Sequence, residues 1–190
     1  MAQKLSIGSL AQRWWIVLVT AGVVIGLDRW TKELIRATMP LYSSTTPVPA
    51  LEGYLSFQHV NNYGAAYGIF QGGRIFFTIV AFAVSAGILY YAAQHLPLHE
   101  RFVRLLLGLE MGGAIGNVID RLEQGFVTDF IVTGIPGVYY IPNWNVADSA
   151  VVGGVIGLAI VILWQDVRAA RQEKIQVDGA RAKSDIRRIT

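Results

Sequence analysis

Cysteine is absent from the 190 residues, which excludes a disulfide framework, a thiolate metal site and a cysteine nucleophile. Charge is scarce: Asp, Glu, Lys and Arg make up 15% of the chain, against 53% hydrophobic residues. A soluble domain carries about 25% charge, so a water-soluble globule fits poorly. The three histidines, His59, His95 and His99, are scattered and form no H-E-x-x-H pattern, which argues against a zinc protease. No metal and no cofactor are expected.

What the chain does have is apolar runs close to the ~20 residues that cross a bilayer. They predict one membrane-embedded unit with spans at about 14–35, 75–93, 102–119 and 146–164. The first run follows Lys4 and Arg13, and a cleaved signal peptide is its competing reading. Three further apolar runs, and no small-x-small site ahead of a soluble domain, favour a span that continues as helix to Ile35. On it Asp28, Thr31, Lys32 and Ile35 share a face. The Asp28–Lys32 pair reads equally as a solvated surface pair, worth a few tenths of a kcal/mol, or as a support near a site. The second run offers small residues (Ala81, Ala83, Ser85, Ala86, Gly87) for close packing and no chemistry. In the third, Glu110, Ala114, Asn117 and Arg121 recur at helical spacing, so one polar or small face should look into the protein rather than at lipid. Gly153, Gly154 and Gly157 suit close packing of the fourth.

The connections are polar or broken. Pro40, Pro47 and Pro49 forbid a continuous helix over 39–57, where Tyr42, Val48, Leu51, Tyr54, Leu55 and Phe57 alternate with Ser and Thr as short strands do. The run Asn61-Asn62-Tyr63-Gly64-Ala65-Ala66-Tyr67-Gly68 allows close backbone approach. It reads as a hairpin turn or as a lip over a site. Residues 122–144 contain Gly134, Pro136, Gly137 and Pro142 and cannot be one helix. Their aromatics, Phe126, Phe130, Tyr139, Tyr140 and Trp144, are of the kind that collect at membrane interfaces. This segment is expected to lie along the interface and deliver Asp129 to it. The tail, 165–190, is polar and basic, and is expected to begin as helix and then fray.

Lys and Arg set the topology. With four spans, 11 of them fall on the side of both termini and the 94–104 turn, and 5 on the other. The positive-inside rule then makes the termini cytoplasmic. Asp129, Asp148 and the Asn62 loop all fall on the outer side.

Acids at membrane depth are costly and are by default a functional hypothesis. Asp129 and Asp148 can act as a pair: two carboxylates sharing one site hold one proton between them. The ionised member takes a proton from water and the other donates to the scissile carbonyl. Asn62, Asn117 and Asn145 are neutral hydrogen-bonding groups at similar depth, able to orient a substrate backbone without disturbing that proton. Asn145 is three residues before Asp148 and reads also as a helix N-cap. Arg121 can orient a carboxylate or carbonyl with its fork of donors, or with Asp120 merely cap a helix end. Taken alone, two aspartates suit a proton relay or an ion site as well; a small transporter and a non-catalytic scaffold are the other classes to weigh.

The full set of motifs is sharper. Asp28-x-x-Thr31-Lys32, Asn62-x-Gly64-Ala65-Ala66, Gly112-Gly113-Ala114-x-Gly116-Asn117-x-x-Asp120-Arg121, Val127-x-Asp129-Phe130 and Asn145-x-Ala147-Asp148-Ser149 occur in this order. Together they closely resemble the bacterial lipoprotein signal peptidases, over about residues 14–165. Tyr63 and Tyr67 flank the loop where Thr and Phe are usual, and Trp144 stands where Phe is common. Glu110 inside the third span is less expected; a hydrogen bond across the bundle and a neutral, protonated carboxyl are the two readings of it.

The resemblance implies an all-α integral membrane protein of four transmembrane helices, with a small extracytoplasmic β-sheet cradle and an interfacial half-helix. It implies a single peptidase domain over 1–165 and a basic cytoplasmic tail over 166–190. It makes Asp129 and Asp148 the catalytic dyad of an aspartic endopeptidase. Asn62, Gly64, Asn117, Arg121, Asn145 and Asp28 line or support the site, and Asp120 and Lys32 support the polar cluster. The implied substrate is a prolipoprotein, cut before a cysteine that carries a diacylglyceryl group. The implied setting is the bacterial inner membrane, with lipid as a partner, no nucleic acid, and a monomer as the working form.

Overall fold

The computed structural model describes residues 7–64, 70 and 72–189. The long helices are α1 (Ile7–Thr38), α2 (Arg74–Gln94), α3 (Arg101–Glu123) and α4 (Val146–Ile189). Each holds a stretch long and apolar enough to cross a membrane, and the exposure pattern agrees. The largest fully buried side chains include Arg104, Lys32, Asp28 and Asp120, while Trp15, Leu18, Val23, Ile79 and Phe82 are exposed. Charge inside and grease outside is the inverse of a water-soluble domain, and the chain is a multi-pass membrane protein. The chain divides into two compact units, Met1–Val155 and Ile156–Thr190. In the second, α4 remains helical to Ile189 where fraying is expected from the sequence; Ala, Arg, Lys, Gln and Glu dominate there and are good helix formers.

Four strands lie between the helices: β1 (Ser44–Thr45), β2 (Leu55–Asn62), β3 (Val127–Ile135) and β4 (Tyr139–Trp144). They form one antiparallel sheet in the order β1-β2-β3-β4. The strands expected over 39–57 are joined by two in the segment read above only as an interfacial connection. Its breakers are the reason it forms a hairpin. The amide of Val138 donates to the carbonyl of Ile135 at 3.0 Å, and Gly137 has φ +73°. Pro136 then Gly137 is the pair that a type II turn requires at its centre. Pro142 falls in β4, an edge strand, where a missing N–H is tolerated. Outside the four long helices, the helical element among the described residues is the 3-10 turn Pro49–Leu51; the expected half-helix is not among them. Ala65, Ala66, Tyr67 and Gly68 of the loop motif lie outside the described residues.

Helix α3 is the centre of the first unit: 56% of its most apolar stretch is buried, against 17% for α1 and 22% for α2. The adjacent glycines of its motif let two helices approach at once. A Cβ on Gly112 would lie 2.8 Å from Ala21 Cα of α1, and one on Gly113 would collide with the Ala147 carbonyl of α4. The motif thus fixes where α4 begins, and with it the position of Asp148.

At the opposite end of α3, Arg104 is 1% exposed. Its guanidinium donates to the carbonyls of Ala92 (3.1 Å), Leu96 (2.7 Å), Pro97 (3.2 Å) and Arg13. It satisfies carbonyls that the end of α2 leaves open and ties α1, α2 and α3 together. Arg104→Met is expected to cost about 2–3 kcal/mol of stability, because several buried acceptors lose their donor. Arg104→Lys should recover only part of this, since an ammonium lacks the fork. Chemical unfolding in detergent micelles reads the effect; a midpoint unchanged in Arg104→Met would show that the pin carries no weight.

Candidate active site

Strand β3 and the first turn of α4 bring the two acids to one cavity. Asp129 pairs with Val60 across the β2–β3 ladder and is 2% exposed. Both of its carboxylate oxygens accept amide hydrogens, from Asn62 Nδ2 at 2.8 Å and from Asn145 Nδ2 at 2.7 Å. Asp148 accepts from Asn117 Nδ2 at 2.8 Å and from the Asn145 backbone amide at 3.2 Å. In return Asn145 Oδ1 accepts the Asp148 backbone amide at 2.9 Å. This reciprocal pair is a capping box built from Asn and Asp. Asn145 is therefore both N-cap and bridge, its side chain on one acid and its main chain on the other.

The cavity is about 420 Å³ and is lined by Asn62, Gly64, Asn117, Arg121, Asp129 and Asp148, with an apolar wall that includes Phe77, Val127 and Trp144. The Gly64 amide donates to Asn62 Oδ1 at 2.9 Å, and its carbonyl accepts from Arg121 Nη2 at 3.2 Å. Arg121 also donates to the Asn117 carbonyl at 3.4 Å and lies over the Phe77 ring, 5.1 Å from its centroid. It holds the Asn62–Gly64 loop against the site, beyond a mere helix cap. The second span, read as plain, contributes Phe77 to the wall.

Behind the cavity Asp28, Lys32 and Asp120 form an ion cluster. Lys32 Nζ lies 2.7 Å from Asp28 Oδ2 and 2.9 Å from Asp120 Oδ2, and donates to Asn117 Oδ1 at 3.0 Å. Asp28 and Lys32 are both 0% exposed, so the surface-pair reading fails: α3 and α4 cover them. The other oxygen of Asp28 accepts the Ala147 amide at 2.9 Å, and Asp120 accepts the Thr128 amide at 3.2 Å. One cation thus links α1 to the start of α4, to β3 and to the asparagine that faces Asp148. All ten sequence-selected residues converge on this cavity or on the cluster behind it. Arg36 was not among them, although it follows Lys32 by one helical turn. It donates to Thr128 Oγ1 at 2.8 Å and lies 3.8 Å from Asp120 Oδ1.

Burial, and next the neighbouring Asp148 charge, push the Asp129 carboxyl up to about 7. The amide hydrogens of Asn62 and Asn145 and the charge of Lys32 oppose this without cancelling it. At neutral pH Asp129 is poised between acid and carboxylate.

The chain as a whole has counterparts among known proteins. A family model described as signal peptidase (SPase) II matches residues 20–164. The chain is 45% identical over 138 residues to the lipoprotein signal peptidase of Symbiobacterium thermophilum, covering 73% of this chain and 88% of that protein. It is 40% identical over 159 residues to the lipoprotein signal peptidase of Halalkalibacterium halodurans, covering 84% and 98%. A solved bacterial membrane enzyme matches with a TM-score of 0.71 at 31% identity, over 87% of this chain and 94% of that one. The motifs, the four spanning helices, the sheet and these matches agree: the chain belongs to the signal peptidase II family of membrane proteases.

Proposed function

We propose that Asp129 and Asp148 are the catalytic dyad of an aspartic endopeptidase that cuts diacylglyceryl-modified prolipoproteins before the lipidated cysteine. The observation that carries this is the double use of Asn145, which holds both acids at one cavity through its side chain and its backbone amide. Asp129 is the group that bears the shared proton near neutrality, and Asp148 takes a proton from the attacking water. Asp129 protonates the scissile carbonyl oxygen; as the tetrahedral intermediate collapses, Asp148 passes the water proton to the leaving amine and Asp129 regains its own from the hydroxyl, which restores the single-proton dyad. Asn62, Asn117 and Arg121 orient the peptide. The apolar wall suits a lipid-bearing substrate that reaches the site from the bilayer. The charge count supports cytoplasmic termini and a dyad on the outer face of the bacterial inner membrane, with 11 Lys and Arg on one side and 5 on the other. The working form is a monomer, and no nucleic acid is involved.

The test is cleavage of a lipid-modified prolipoprotein by the purified protein in proteoliposomes. A pH dependence follows from the shared proton. Above about 7 Asp129 loses the proton it must donate, so kcat/KM should fall about tenfold per pH unit on the alkaline side. In acid, Asp148 becomes protonated as well and the base is lost. A profile flat between pH 6 and 9, or still rising below pH 3, would contradict the single-proton dyad.

A further inference from the structure

We propose that Glu110 reads the membrane-spanning part of the substrate, favouring a hydroxyl- or amide-bearing residue about five to eight positions before the cut. The inference rests on the dyad reading above. A groove of about 290 Å³ runs between α2, α3 and α4, with Val80 and Val84 on one wall, Val155 on the other and Glu110 in its lining. It shares Phe77, Asn117, Arg121 and Val151 with the dyad cavity, so the two are continuous. A peptide cut at the dyad leaves its preceding residues on this path, and a signal peptide supplies an apolar segment that matches the walls.

Glu110 is the exception to those walls. Its stem packs where α4 has a glycine: a Cβ on Gly154 would lie 2.7 Å from Glu110 Cγ. Among the described residues its carboxyl has no hydrogen bond or ion pair. An ionisable side chain at membrane depth is expensive without a partner, and the groove is the place from which a partner can come. Glu110 precedes Asn117 by seven residues on α3, which is about 10 Å along the helix axis. With its basic end cytoplasmic, the signal peptide runs parallel to α3. A helical stretch reaching the dyad then brings a residue five to eight positions upstream to the level of Glu110. Side-chain hydrogen bonds between membrane helices are modest, so selection of about threefold to tenfold is expected.

The experiment uses prolipoprotein substrates with an all-leucine segment into which one Ser or Asn is placed at successive positions. The full chain, Glu110→Gln and Glu110→Leu are assayed in proteoliposomes beside Asp129→Asn. The readout is each polar substrate's kcat/KM relative to the all-leucine substrate within the same enzyme. The native chain should show a peak of about threefold to tenfold, carried by KM and spaced within one helical turn. Glu110→Gln should keep it, and Glu110→Leu should flatten it. A flat native profile, or a peak that survives in Glu110→Leu, overturns the role of Glu110 while the dyad reading stands. If the native chain cuts none of the substrates, or Asp129→Asn cuts them equally, the dyad reading falls and this inference with it.

Discussion

Asp129→Asn and Asp148→Asn should each slow prolipoprotein cleavage by about a thousandfold, with thermal unfolding close to that of the native chain. The magnitude is that of losing a positioned acid or base. Asn matches Asp in shape, but the two positions differ in what the exchange disturbs. At Asp129 both oxygens already accept amide hydrogens, from Asn62 and Asn145. The shared proton therefore occupies a remaining lone pair on the cavity side. An asparagine there must turn an NH2 toward one of those donors. Neither can flip freely: Asn62 Oδ1 is held by the Gly64 amide and Asn145 Oδ1 by the Asp148 amide. This donor clash costs stability, offset in part because the fraction of Asp129 that is ionised near pH 7 no longer buries a charge. At Asp148 an asparagine can keep accepting from the Asn145 backbone amide, so the cap survives, but its NH2 then meets Asn117 Nδ2, whose Oδ1 is held by Lys32 and Asn145. The double variant should be no slower than either single one, because the two groups act as a unit. Uncleaved substrate is quantified by gel shift, with unfolding followed in detergent. Cleavage within tenfold of the native rate in either single variant would remove the dyad from the mechanism.

Much of the site was legible because polar residues inside apolar runs stand out. Asp28, Lys32, Asn117, Asp120, Arg121 and Asp148 are each conspicuous within or at the end of a predicted span. What sequence could not resolve was who covers whom. An Asp–Lys pair one helical turn apart looks the same on a surface as in a core; Asp120 and Asn117, brought over by α3, and Ala147, brought over by α4, make Asp28–Lys32 buried. Strands β3 and β4 were hidden for a related reason. Val127, Thr128, Asp129 and Phe130 are all buried, so the run lacks the in–out alternation that marks a half-exposed strand. Its proline and glycines look like loop breakers until Pro136 and Gly137 are recognised as the centre of one turn. Arg36 follows Lys32 on the same helical face and could have been found by spacing. Thr128 has no signal beyond its neighbour, since its partner is fixed by where α3 ends.

Lys32→Met should lower stability by about 3–5 kcal/mol, the range for leaving a buried charge without its partner. For a chain of this size that is roughly 6–20 °C in the unfolding midpoint. The side chain is 0% exposed and serves two carboxylates and one amide oxygen at 2.7–3.0 Å. Methionine fills much of the same space but supplies no hydrogen. Asp28 then has only the Ala147 amide, and Asp120 keeps the Thr128 amide with Arg36 3.8 Å away. The triple variant Asp28→Asn, Lys32→Met, Asp120→Asn should be less destabilised than Lys32→Met alone, because neutralising the acids removes the stranded charges. A second consequence separates packing from electrostatics. The Lys32 charge pulls the Asp129 carboxyl down from where burial and Asp148 would put it. Without that charge Asp129 holds its proton more tightly, so the alkaline limb of kcat/KM should move to higher pH in Lys32→Met. A purely structural lysine would change the midpoint and leave that limb in place; a lysine that also sets the dyad's proton moves both.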